Sequence, residues 1–556
     1  MIKRAIILTI QFLTIVLFSD VTFSQTQTVG VFINDTANTF KGYTLFAPKQ
    51  NTMTYLIDNE GRKVHEWTAS THAPGQSVYL LENGNLLRTC MTQGNLGTGG
   101  GEGGRIEEYN WNDSLVWSLD YSTQTYMQHH DIKKLPNGNI IMLVVEKKVL
   151  ADVIAAGFDT SKMQEPDFHQ KHIMLPDKVV EIQPTYPSGG NVVWEWHVWD
   201  HLIQSYDSTM ANYGIPSAHP ELIDAAGDHR NLPLFWNHMN AIDYNPALDQ
   251  IAMSVRGNSE VWIIDHSTTT AQAAGHTGGT HGKGGDLLYR WGNPVTYGAG
   301  TMSDQKYYEQ HDVEWIKPGN PGAGNLLCFN NGVNRNYSSI DEITTPVDVS
   351  GNYTLVSGTA FGPTSLAWTY VASPPSSLYA LDISGAQRLP NGNTLIDDGP
   401  LGTFTEVTSA GQVVWKYINP VTNTGPLHQG DSIPHNLPMH PDETFNSVFR
   451  VYRYPTDYSG FTGHSLTPGN FIEIYTGIND IIKAPEIQVF PNPFTNKITL
   501  KNLTGTESYE MINTIGQTIW SGYKIEQHDF SAIAPGLYFL TVSTQNSIKT
   551  IKLIKQ

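Results

Sequence analysis

Apolar and polar residues alternate in short runs along most of the chain, and turn residues break the runs every few positions. GYTLFAP (42–48), TMTYLIDNEGR (52–62), KVHEWT (63–68), RIEEYN (105–110), SLVWSLDY (114–121), KVVEIQP (178–184), EVWIIDH (260–266) and GTFTEVTSAG (402–411) share this form. A period of two between Gly, Pro, Asn and Asp clusters predicts β-strands with one buried face. One strand–turn–strand unit recurs. It reads QSVYLLENGNLL from Gln76, HHDIKKLPNGNII from His129, HMNAIDYNPALDQIAMSVR from His238, HDVEWIKPGNPGAGNLLC from His311 and SGAQRLPNGNTLI from Ser384. Pro-Asn-Gly-Asn is turn chemistry: proline presets φ, and glycine accepts a positive φ.

Each hairpin is followed by a strand ending in a polar turn. A strand built around Trp or Tyr then follows, as in VWSLDY, VWEWHV, LYRWGN and VWKYIN. Five four-strand units, spaced unevenly by loop insertions, predict a β-propeller. NSVFRVYRYP (446–455) is a lone strand of inner character, and GYTLFAP, TYLIDNE and KVHEWT are three strands lacking an inner partner. Together they make a sixth blade from both ends of the domain, which removes the open sheet edges. The expected fold is all-β: a six-bladed β-propeller over residues 25–477, followed by a small C-terminal β-sandwich.

Composition narrows the function. Charged residues are only 15% of the chain, yet the formal net charge is −19. No basic field exists to attract phosphate, so no nucleic-acid partner is expected. Lys3 and Arg4 precede an apolar run from Ala5 to Phe18, which predicts a signal peptide over 1–24. That run is short for a membrane span and contains Gln11, and the mature chain has no other candidate transmembrane segment. Cys90 and Cys328 fall in second strands of different hairpins. In a ring they lie far apart, so two free core cysteines are expected rather than a disulfide.

In a propeller the innermost strands line a central channel, and equivalent positions form a ring. Counted back from the turns, these are Gln76, His130, His238, His311 and Ser384, with Asn446 as the sixth. Hairpin geometry sets the end of the second strand beside the start of the first. His238 should therefore neighbour Arg256, His311 should neighbour Asn330 and Asn331, His130 should neighbour Glu146, and Ser384 should neighbour Asp397 and Asp398. His129 should point away from His130 by strand alternation. Imidazoles, a guanidinium and amides together suit a tetrahedral oxyanion. One histidine could act as nucleophile while another moves the proton. Against this stands a structural reading, in which His followed by Asp ties a turn, as in WD-type propellers. Three imidazoles could also hold zinc for a hydrolase or lyase, but ring positions separate ligands by a blade and no HxH pairing supports them. No metal or cofactor is expected here.

The segment WNHMNAIDYNPALDQIAMSVRGNSEVWIIDH, the repeated LPNGN turns, QHDVEW, GNLLCFNNG and ISGAQRLPNGNTLI resemble the bacterial arylsulfotransferase family. The resemblance implies an exported six-bladed propeller. It implies cofactor-free transfer of a sulfuryl group from a phenolic sulfate ester to a phenol, through a sulfo-histidine. It matches His238 and Arg256 to the family's sulfate-binding pair and His311 to another active-site histidine. The nucleophile stays open between His130 and His311, because the fifth repeat offers Ser384 where a histidine would be sought. A non-catalytic surface propeller binding an anionic ligand or a partner is the alternative.

The tail differs in character. Past a linker at 478–485, VFPNPF, INTIGQ, APGLYFLTV and KTIKLIK resemble the C-terminal sorting domain of type IX secretion systems, over 486–556. This implies the type IX machinery as partner and a protein that is secreted or held on the outer cell surface.

Overall fold

A computed structural model describes residues 26–92, 96, 100–162, 173–225, 235–436, 440–475, 488–501, 507–543 and 548–556. The expected signal peptide and linker lie outside these residues. The chain divides into two compact units, Met1–Ile474 and Tyr475–Gln556.

The first unit carries six antiparallel sheets of four or five strands. Blade 1 joins Tyr452–Pro455 to Gly42–Phe46, Thr54–Ile57 and Lys63–Trp67, so both ends of the domain build one sheet. Blade 2 begins at Pro74–Leu80, blade 3 at Tyr126–Lys134, blade 4 at Met239–Asn245, blade 5 at His311–Trp315 and blade 6 at Gly385–Arg388. Blade 5 takes its outer strand from Trp368–Val371, in a region with no regular pattern in the sequence. Blade 6 gains a fifth, outermost strand, Gly30–Asn34. Among the described residues no helix is long and apolar enough to cross a membrane.

Two repeated devices close the ring. On the inside, every junction between neighbouring innermost strands carries a side-chain hydrogen bond. Tyr79 Oη donates to Asp131 at 2.5 Å, Ile242 N to Asp131 at 3.1 Å, Trp315 N to Asp243 at 2.8 Å and Ala386 N to Asp312 at 2.8 Å. Arg453 N donates to Gln387 at 2.7 Å, and Leu80 N to Tyr454 Oη at 2.9 Å, which completes the circle. On the outside, an outer-strand tryptophan in each blade donates its indole N–H to a backbone carbonyl of the next blade. The pairs are Trp67 to Asn110, Trp117 to Gly189, Trp196 to Gly285, Trp291 to Pro363, Trp368 to Ser409 and Trp415 to Asn59. The tryptophan pattern in the sequence thus has a physical cause: a large apolar ring packs between blades while its one polar atom finds a partner. Cys90 and Cys328 are free and buried in blades 2 and 5.

The second unit holds a sheet pairing Gln488–Phe490 with Thr499–Lys501 and a four-stranded sheet over Ser508–Lys555. Phe494, Ile498, Met511, Phe530, Leu540 and Leu553 form its core, as expected of a small β-sandwich.

Candidate functional site

The ring positions share an uncommon backbone. Gln76, His130, His238 and Ser384 have φ of +117°, +47°, +49° and +81°, and in blade 5 Asp312, beside His311, has +56°. The pairing register slips at that left-handed residue in blades 2, 3 and 5, and in blade 4 it slips at Asn240, just after His238. Side chains other than glycine adopt positive φ at a cost of order 1 kcal/mol or more, and such strain collects at functional positions. The bulge also ends strand alternation there. His129 consequently does not point away from His130. Its Nδ1 lies 2.8 Å from His130 Nδ1, and its Nε2 lies 2.8 Å from Asp177 Oδ1.

The other expected neighbours sort as follows. Arg256 N donates to His238 O at 3.3 Å. The rings of His130 and His238 are 5.0 Å apart. His311 Nδ1 lies 2.8 Å from Asn331 Oδ1. Asn330 is turned out of the site: Oδ1 accepts from Tyr308 N, and Nδ2 donates to Lys306 O and Asp341 Oδ2. Successive strand residues face opposite ways, so only one of the two asparagines can meet His311. Glu146 pairs with Tyr126 across the strands and binds His197 and Lys148: the pairing that starts at Ile140 and Lys134 sets Val144, not Glu146, at the level of His130, and the bulge carries Glu146 further away. Ser384 sits by Asp397 as expected, its Oγ accepting from Gly399 N. Asn446 is not the sixth ring position. Its amide is spent on Asn419 O and Thr444. Phe449 takes that place, with its O accepting from Ser384 N and its ring 5.9 Å from His130.

Hydrogen bonds fix one protonation pattern and constrain a second. Asn331 Nδ2 donates to Ala380 O at 3.0 Å and Ile383 O at 3.1 Å, so its Oδ1 must face His311. Nδ1 of His311 therefore carries the proton, and Nε2 keeps a lone pair. In the row Asp177–His129–His130, Asp177 also accepts from Met239 N at 3.0 Å. His129 Nδ1 and His130 Nδ1 share one proton between them, and with that proton on His130 its Nε2 is left bare.

Electrostatics keep the imidazoles uncharged. Burial pushes His311 down to about 3, and Arg256 pushes the same way. Burial takes His130 well below the usual value, helped by His238, His129, His311 and Arg256. His238 follows the same trend, from burial and then Arg256. Arg256 also pairs with Glu309, a short exposed-rim contact. Below the histidines lies Arg450, a residue the ring count did not reach. Its Nη1 binds Asp131 and its Nε binds Asp312, both at 2.9 Å, and all three groups are buried. Beside it, burial and then Asp398 drive the Asp397 carboxyl far above the ordinary range. Gly101 lies directly against His130: its O accepts from His130 N at 3.0 Å, and a Cβ on it would stand 1.9 Å from His130 Cε1.

Of the residues expected at the site, the fold gathers His130, His238, His311, Arg256 and Asn331, and it adds His129, Asp177, Phe449 and Arg450. The doubled His129-His130 was the one available signal for the first of these. Arg450 was visible only as a lone cation in the closing strand.

Comparison with known proteins gives one decisive match. Residues 29–426 fit the arylsulfotransferase (ASST) family, and residues 488–556 fit the secretion system C-terminal sorting domain. No curated protein matches the chain. Among solved structures, a protein of unknown function from Bacteroides caccae is 10% identical with a TM-score of 0.38, over 75% of this chain and 99% of that one. Virginiamycin B lyase from Staphylococcus aureus is 8% identical with a TM-score of 0.31, over 71% and 90%. Such faint likenesses carry no argument. The family match spans most of the propeller and every imidazole of the ring, and the chain belongs to the arylsulfotransferase family, with a type IX sorting domain that directs it to the cell surface or beyond.

Proposed function

We propose that the protein is an exported aryl-sulfate sulfotransferase and that His311 is its nucleophile. One observation carries this reading: Asn331 holds His311 Nδ1–H, so a neutral imidazole offers its Nε2 lone pair under the field of Arg256. Nε2 attacks the sulfur of a phenolic sulfate ester. The N–S bond forms, the S–O(aryl) bond breaks, and the phenolate leaves with the electron pair. The new sulfo-imidazolium is cationic on its ring, and its Nδ1–H donates more strongly to Asn331, which stabilises the intermediate more than the ground state. Arg256 and His238 hold the sulfuryl oxygens. In the second half, His130 Nε2 takes the proton of an acceptor phenol while its Nδ1–H leans on His129 and Asp177. The phenolate attacks sulfur, and the N–S bond breaks to restore His311. The His130 proton then passes to solvent, which supplies the proton the released first phenolate takes up, so charge and protons balance. The chemistry needs no cofactor.

The test is p-nitrophenyl sulfate with phenol as acceptor, followed by mass spectrometry after donor alone. A sulfuryl adduct mapped to His311, absent in His311→Ala, is the expected result. No nitrophenol release, or an adduct elsewhere, sinks the assignment. A second reading, a surface propeller that only binds an anion, is favoured by Glu309 already occupying part of Arg256. Under that reading His238→Ala and His311→Ala alter sulfate binding while no variant, nor the parent, turns over donor.

A further inference from the structure

At the rim between blades 3 and 4, away from the channel, lies a second cluster. His201 follows the outer strand of blade 3, Asp286 precedes the outer strand of blade 4, and His276 stands in the glycine-rich loop between them. One ligand atom from each of His201, His276 and Asp286 lies within 4.8 Å of the others. The carboxylate oxygen is 2.9 Å from His201 and 2.7 Å from His276.

His201 is fully buried and both its nitrogens face acceptors. Nε2 is 2.8 Å from Ala273 O, a carbonyl that can only accept, so that nitrogen carries the proton. In a neutral ring Nδ1 then holds a lone pair aimed at a carboxylate oxygen. Such a contact needs either a second proton on the imidazole, which makes it an ion pair, or a metal ion shared by the two atoms. A backbone carbonyl that fixes one imidazole nitrogen while the other is aimed at a shared point is the usual outer-shell arrangement of a metal-bound histidine. The local chain is built to permit it. Gly285 passes so close that a Cβ there would meet Ala273 O at 2.0 Å and His201 Nε2 at 2.6 Å. The His201 ring is also fixed by stacking on Trp196, at 5.5 Å and 9°.

We propose that His201, His276 and Asp286 bind one divalent transition-metal ion, with zinc the best match. Two imidazoles and one carboxylate are a borderline donor set that suits zinc and disfavours calcium or magnesium. Metal–ligand bonds of about 2.0–2.2 Å require ligand atoms a little over 3 Å apart. The carboxylate must therefore part from each imidazole by roughly half an ångström. His276 can supply that movement, because it is 58% exposed on a loop, whereas His201 is held. His276 also lines a cleft of about 600 Å³ with Trp199, Asp200, Tyr213 and His219, which gives an ion its path in. Bound there, the ion pins the 274–285 loop across the junction of two blades.

The experiment uses the full exported chain, stripped with chelator and titrated with ZnCl2 by calorimetry, alongside His276→Ala, Asp286→Asn and His219→Ala. His219 borders the same cleft, pairs with Glu221 and lies outside the triad. One zinc per chain is expected in the parent and in His219→Ala, with binding at least tenfold weaker in the other two. Zinc should raise the unfolding temperature only where it binds, and X-ray absorption at the zinc edge should report two imidazoles. His276→Ala removes an exposed side chain, so it tests the site without a folding defect. Absent stoichiometric binding, equal binding in His276→Ala, or equal loss in His219→Ala would each overturn the proposal. So would nitrogen NMR showing His201 doubly protonated and unchanged by zinc.

Discussion

Arg450→Met removes the one cation that bridges Asp131 and Asp312 while keeping much of the side-chain volume. Both carboxylates are essentially without exposure and contact the guanidinium at 2.9 Å. Stripping one partner from a buried ion pair costs about 3–5 kcal/mol, because the remaining charge stays desolvated. Two carboxylates are involved here, but Asp131 keeps donors from Tyr79 and Ile242 N, and Asp312 keeps Ala386 N. We therefore expect a loss of about 4–6 kcal/mol rather than twice the single figure. A domain of roughly 450 residues has an unfolding entropy near 0.9 kcal/mol per kelvin, so the unfolding temperature should fall by about 4–7 °C. The deficit should depend on pH in a defined direction. Burial already holds the Asp312 carboxyl up at about 6 with Arg450 pulling it down, so loss of Arg450 raises it further. A folded-state value raised above the unfolded one means that the folded protein binds the extra proton, and acid then favours the fold. The difference between variant and parent should accordingly be larger at pH 8 than at pH 5.5. Calorimetric scans at both pH values check this, with Asp312→Asn in the variant background expected to restore part of the loss. An Arg450→Met protein as stable as its parent, or a deficit that grows on acidification, refutes the reasoning.

Three further outcomes follow from the site. The depressed histidines make the parent itself acid-sensitive: their folded values lie below the unfolded 6.5, so their contribution is complete above that pH and is lost as pH falls toward 3. Buried His311, held down at about 3, should take away about 2 kcal/mol between neutral pH and pH 5, and the unfolding free energies of His311→Gln and the parent from denaturant titration should converge by about that amount. Glu309→Ala frees the guanidinium of Arg256 and removes a negative charge from the sulfate's path, so the donor KM should fall two- to fivefold, the scale of a partly exposed pair; an unchanged or higher KM contradicts this. Gly101→Ala forces a methyl into the space of His130 at a residue with φ of +72°, so kcat should drop far more than the unfolding temperature, and steady-state kinetics beside a thermal melt separate the two.

Much of the scaffold was readable because repetition made it redundant. Five similar hairpins and a recurring outer-strand tryptophan each reported the same sheet, and an error in one unit was corrected by the others. Closure of blade 1 by Tyr452–Pro455 was readable for a related reason: three strands lacked an inner partner and one strand lacked everything else. The fifth strand on blade 6 carried no such signal, since Gly30–Asn34 is short and half exposed. The site was readable only to the precision of the repeat. Counting from the turn found His130 and His311 because each sits at the same offset from the residue that opens its turn, Leu135 and Ile316, whereas His238 stands further back from Asn245. The same count set Glu146, rather than Val144, at the level of His130, and it turned His129 away because it assumed uninterrupted alternation. A left-handed residue at the start of the innermost strand in blades 2 to 6 breaks that assumption, and no residue type announces it: glutamine, histidine, aspartate and serine all occupy the position.

That bulge is what ties scaffold to chemistry. In blades 3 and 5 the residue after the ring histidine is an aspartate, and Asp131 and Asp312 each accept a backbone N–H of the next blade while binding Arg450. The structural reading of His-Asp as a tying device and the catalytic reading of the histidine need not be rivals: the aspartate ties the blades, and under the proposed mechanism the histidine beside it is free for chemistry. With His130 left-handed in blade 3 and Asp312 in blade 5, each aspartate turns to Arg450 and the next blade while the imidazole beside it meets other partners, His238 for His130 and Asn331 for His311. The orientation of His130 and His311 is therefore set by closure of the whole ring. A change in Arg450, which lies outside the family-matched segment, should then alter kcat at temperatures well below the melt. His266, a rim histidine bound to Glu181 and Asp249, provides the control, because its loss can weaken blades 3 and 4 without reaching the knot. If His266→Ala and Arg450→Met lower kcat equally at matched loss of stability, the coupling of closure to chemistry is wrong.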